Sequence, residues 1–169
     1  MVLLLLLFVV VLVVGGGAAL AVVAVNTGQR RRVSAANQLV PGVPSRAPES
    51  WALSHDPEAR LHRRLRDAMA ALRAVTAYDT VTTVTLRANL EQAALAMDDH
   101  LIAISALRPE HREPRLAKAA EGVAAIEAGV AEYAGAATQP DPAALDAGLA
   151  GVQDRLRMVG DIQRGFGPS

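Results

Sequence analysis

Cysteine is absent from the 169 residues. That excludes disulfides, thiolate nucleophiles and zinc–thiolate sites, and it leaves the redox compartment unmarked. Aromatic residues are scarce: one Trp, two Tyr and two Phe, in a chain that is 51% hydrophobic, mainly Ala, Leu and Val. A core of small and aliphatic side chains suits close-packed helices better than a β-sandwich. Net charge is absent too, yet the charges are unevenly spread. Residues 26–75 hold nine arginines against four acids, and residues 76–169 hold eight cations against thirteen acids. Without an overall cationic excess the chain lacks the phosphate-neutralising surface of a general nucleic-acid binder.

What is present begins at once. Residues 2–25, "VLLLLLFVVVLVVGGGAALAVVAV", contain no charged or strongly polar side chain. A helix of that length spans about 36 Å, enough for a ~30 Å hydrocarbon core with some tilt. A cleaved secretory signal would have a basic start and a shorter apolar run, although "ALA" and "VVA" offer small residues for cleavage. The run is therefore expected to be a transmembrane helix. Gly15 and Ala19 form a small-xxx-small pair, a spacing too common in membrane helices to imply association by itself.

Arg30, Arg31 and Arg32 follow the run closely, whereas only Met1 precedes it. Arginines flanking a span tend to stay in the cytoplasm, so the bulk of the chain is expected inside the cell, with an extracytoplasmic placement as the alternative. The same cluster would be drawn to anionic lipid headgroups. Residues 26–50 carry Pro41, Pro44 and Pro48 without an apolar period, the pattern of a linker.

Residues 51–164 read as four helices. Asp56 and Pro57 supply a cap and a first-turn proline, and Leu61, Leu65, Ala68, Leu72 and Val75 follow at 4-3 spacing, with the first helix expected to run to about Tyr78. The second is expected from Asp79 or Thr80, with a seam of Leu86, Leu90, Ala93, Met97, His100, Ile104 and Leu107 and Leu101 alongside. "RPEHREP" reads as a turn, with Pro114 opening a third helix whose seam is Leu116, Ala119, Val123, Ile126, Val130 and Tyr133. Asp141 and Pro142 open the fourth, with Leu145, Leu149, Val152, Leu156 and Val159, and residues 165–169 are a frayed tail. Together these predict an all-α fold: a transmembrane helix, a linker, and an antiparallel up-down-up-down four-helix bundle of coiled-coil-like seams. Gly122, Gly129 and Gly148 predict a close approach of the third and fourth helices.

Catalytic and ligand motifs do not accompany this pattern. No Glu-x-x-His pair of the di-iron type occurs. Asp98 and Asp99 are expected to point outward beside His100, Glu58 and His62 to share a helix face, and Glu110, His111 and Glu113 to be solvated in a turn. Ser34, Ser45, Ser50, Ser54 and Ser105 sit in no nucleophile elbow, and no glycine loop is placed to cradle a phosphate. No cofactor is implied. Arg60, Arg63 and Arg64 form a dense basic turn that joins Arg30, Arg31 and Arg32 as candidate contacts for anionic lipid or a protein partner. Its plainer reading is a solvated face paired with Glu127 and Glu132. Trp51 and Leu53 are expected to fold onto the end of the bundle.

The phrase "DPEARLHRRLRDA" resembles segments of small membrane proteins of high-GC bacteria, over a dozen residues and without an implied activity. The functional expectation is a single-pass membrane protein whose bundle is a non-enzymatic protein-interaction or self-association module. The alternative is a bundle that binds an apolar ligand or lipid.

Overall fold

A computed structural model describes residues 38–75, 80–139 and 141–166. The leading apolar run and Arg30, Arg31 and Arg32 lie outside the described residues. Among those described there is no strand, and no helix is long and apolar enough to cross a membrane. A 3-10 turn, Glu49–Ala52, precedes four α-helices: α1 Pro57–Ala74, α2 Val81–Ser105, α3 Pro109–Ala137 and α4 Pro142–Arg164. The all-helical expectation is thus met.

Each helix starts where the backbone has a reason to start. Thr80 accepts a hydrogen bond from the Thr83 N–H while the Thr83 hydroxyl accepts from the Thr80 N–H, a reciprocal cap that offsets the weak propensity of the β-branched run after it. Asp141 caps α4 by accepting from the Ala143 N–H. Asp56 occupies the cap position of α1, but its carboxylate turns back to accept from the Ser54 hydroxyl and makes no bond to the helix. α1 also stops earlier than expected, at Ala74, because Val75 adopts an extended backbone.

The third helix departs furthest from expectation. α3 begins at Pro109, so "RPEHREP" forms its first turns and Pro114 lies inside the helix. Pro109 has the fixed φ suited to a first helical residue, and Glu110 complements the positive helix end. Arg112 secures the junction by donating from Nη2 to the carbonyls of Ser105 and Leu107, both at 2.9 Å, where α2 leaves carbonyls without helical partners. Pro114 therefore costs one hydrogen bond on an exposed turn rather than starting the helix.

The helices share one core, built from residues such as Leu65, Met69, Leu90, Met97, Leu101, Val123, Ile126, Tyr133 and Val152. Gly129 faces Leu90 and Gly122 faces Met97, so residue numbers rise along α3 as they fall along α2. Gly148 against Ala136 and Gly122 against Ile162 give the same opposite sense for α3 and α4. α3 packs on all three other helices, and α2 also packs on α1 and α4, while the backbones of α1 and α4 make no close approach. α2 and α3 thus form the central pair.

The second helix is rotated from the expected seam by about one residue: Ala94 and Leu101 are buried, and Ala93 and His100 are half-buried. α1 buries a wider face than its apolar seam, because it packs on both α2 and α3; Glu58, Ala59, His62 and Met69 join Leu61, Leu65 and Leu72 inside. Leu39 is buried in the same core, its carbonyl accepting a 2.6 Å hydrogen bond from Arg73.

Candidate functional site

The buried face of α1 carries two ionisable side chains one turn apart. Glu58 is 2% exposed and His62 is fully buried. Facing them from α2 is Asp98, 4% exposed. Its burial corrects the expectation that Asp98 and Asp99 both point outward. The rotation of α2 that turns His100 toward the edge carries Asp98 inward, while Asp99 stays exposed.

His62 Nδ1 lies 2.6 Å from Asp98 Oδ1. With the carboxylate ionised only the ring can donate, so the proton sits on Nδ1. Nε2 is buried without a hydrogen-bond partner, and Trp51 stands edge-on to the imidazole with ring centroids 5.6 Å apart. The pair resembles a carboxylate-oriented general base, but the nitrogen a base would use is closed off from solvent. Glu58 meets Arg112 Nε at 3.6 Å, an ion pair longer than a hydrogen bond. Among the described residues, no three His, Asp or Glu side chains converge in a way that could hold a metal ion. Glu110, His111 and Glu113 are exposed on the first turns of α3.

A short segment ahead of α1 covers this region. Trp51 is buried on His62, as expected of it, whereas Leu53 is 90% exposed and does not fold inward. Arg63 Nη1 donates to the carbonyls of Trp51 and Ser54 at 2.7 and 2.8 Å, holding the segment against α1. Between residues 39–46 and α2 lies a cleft of about 250 Å³, lined by Leu39, Val43, Pro44, Leu95 and Asp98 together with the polar Ser45 and Gln92 and the paired Arg46 and Asp99.

The basic turn of α1 is divided in its contacts. Arg64 makes a two-pronged pair with Glu127 of α3, Nε to Oε1 at 2.9 Å and Nη2 to Oε2 at 2.5 Å. Those hydrogen bonds raise its already high pKa, with burial opposing them. Arg63 holds backbone carbonyls, and Arg60 is exposed with no partner among the described residues. Glu132 pairs with Arg155 of α4 at 3.0 Å, so of the two acids expected opposite this turn only Glu127 meets it. Tyr133 is buried and its hydroxyl donates to the Thr83 carbonyl at 3.3 Å.

Sequence reasoning noticed Glu58 and His62 but not the role of their spacing. Glu58, His62, Leu65, Met69 and Leu72 keep the 4-3 rhythm as a second seam beside the apolar one. That rhythm was the available signal for their burial. The fold and site together define an all-helical protein with an internal acid–histidine pair. Compared with protein-family models, with curated proteins and with solved structures, the chain matches none of them.

Proposed function

We propose that the chain is a single-pass membrane protein whose leading helix holds an antiparallel up-down-up-down bundle, more specifically on the cytoplasmic side, as a non-enzymatic interaction module. The observation that carries this reading is the leading apolar run itself. The uncharged run of residues 2–25 precedes in sequence a helical unit, Asn37–Ser169, whose described core includes residues from Leu39 to Ile162. An apolar run of that length is long enough to serve a bilayer. The opposed senses of α2, α3 and α4 support the up-and-down arrangement. Arg60, exposed and unpaired among the described residues, is the member of the basic turn best placed for an acidic partner.

The alternative, an apolar ligand held between helices, needs interior space. Side chains of Met97, Leu90 and Ala136 fill the positions opposite Gly122, Gly129 and Gly148.

The test is made in the cell of origin. Ser34→Cys and Ser169→Cys variants in intact cells should resist an impermeant maleimide and react after lysis. A photo-crosslinker at position 60 should capture a recurring protein. A mature chain in the soluble fraction without its first two dozen residues, or no recurring crosslink, overturns the proposal.

A further inference from the structure

We infer that the cleft between residues 39–46 and α2 binds an alkylammonium group, with Asp98 as its anchor. The inference does not depend on the membrane anchor or on a protein partner for the bundle.

Asp98 is almost wholly buried and lines the cleft. Its Oδ1 is turned to His62, whereas its Oδ2 makes no hydrogen bond among the described residues and is not one of the fully buried partnerless atoms, so it is open to the cleft. A largely buried carboxylate with one oxygen open to a cleft gains from a charged donor there. A cationic donor is favoured over a neutral one, because hydrogen bonds to a carboxylate strengthen when the donor is charged.

The geometry also selects the type of cation. A guanidinium recognises a carboxylate best through two parallel hydrogen bonds, one to each oxygen. With Oδ1 occupied, Asp98 offers a single acceptor, which suits the compact charge of an ammonium. The nearby guanidinium conforms: Arg46 pairs with exposed Asp99 at 3.4 Å and not with Asp98. Leu39, Val43, Pro44 and Leu95 supply apolar walls for a methylene stem. The cleft's volume of about 250 Å³ is below the usual range for drug-sized ligands and fits a side-chain-sized group. Such a group is either a free small amine or a lysine side chain of another polypeptide.

Trp51, the only tryptophan in the chain, stands against His62 and reports on this region. The full chain in detergent micelles is titrated with n-butylammonium chloride while Trp51 emission is followed. A saturable change with a midpoint on the order of 1 mM is expected, with binding at least tenfold weaker for n-butylguanidinium, in keeping with a single charged contact. Asp98→Asn should abolish the change. Val43→Phe, which fills the cleft without touching the Asp98–His62 pair, should do the same and decides the matter if Asp98→Asn fails to fold. No saturation in the unmodified chain, equal affinity for the guanidinium, or a titration that survives Val43→Phe overturns the inference. A lysine-containing peptide that binds tighter than butylammonium assigns the site to a protein; equal or weaker binding assigns it to a free amine.

Discussion

His100 stands half-buried against Phe166, with ring centroids 4.7 Å apart, and Lys118 approaches the other ring of that pair at 6.0 Å. Burial lowers its pKa below the ordinary 6.5, and Asp99 opposes the shift only in part. The folded state therefore prefers the neutral ring, and the unfolded chain binds more protons between pH 6.5 and the lower folded value. His100's contribution to stability is full above about pH 6.5 and is lost as pH falls through that window. Urea midpoints measured across it should show a slope that His100→Gln removes. His62 is the hydrogen-bond partner of a buried carboxylate. His62→Ala should cost about 3–5 kcal/mol in denaturant unfolding, since it strands Asp98 and leaves a void beside Trp51. These residues were only half-legible beforehand. The 4-3 spacing marked where Glu58 and His62 lie, but polar residues on a seam look like an exposed edge until the partner helix, here bearing Asp98, is in place.

At the scale of the element, helix interiors were easier to read than helix ends. Three of the four seams are buried largely as spaced, because amphipathic periodicity is a property of one segment alone. The start of α3 was missed because two prolines five residues apart both suit a first helical position; Pro109 takes it, and Arg112 reaches back to the carbonyls of Ser105 and Leu107 to hold the junction. The glycines of α3 and α4 test the packing with opposite signs. A Cβ at Gly135 meets nothing within 4 Å, so Gly135→Ala should raise stability by up to about 1 kcal/mol through helix propensity. A Cβ at Gly148 would lie 2.5 Å from Ala136 Cβ and 3.3 Å from its Cα, atoms that cannot swing aside. Gly148→Ala should lower stability by about 1–3 kcal/mol despite the same propensity gain, as a thermal melt would show. Gly122 is more forgiving, since its obstacle is the flexible tip of Met97.

For the whole molecule, helix number and order followed from the sequence, and so did the close approach of α3 and α4, whereas the other choices of neighbour did not. A seam shows that a helix has a face to bury, but not whether one helix or two will cover it. The central placement of α2 and α3, and the separation of α1 from α4, emerge only from mutual packing. The segment before α1 belongs to this larger account, because Leu39 and Trp51 are buried parts of the helical unit. Deleting residues 2–37 should leave its melting transition in place, while deleting residues 2–56 should lower it clearly. Leu39→Ala alone should cost about 2–5 kcal/mol in the same assay.

The fastening of that segment has a mechanical corollary. Leu39 is held by Arg73, and Trp51 and Ser54 by Arg63, so tension applied through the preceding chain enters along the flank of α1 instead of at a helix tip. Such a pull loads several bonds in shear before any helical turn unravels, and resistance to it is governed by the rate at which these clasps open.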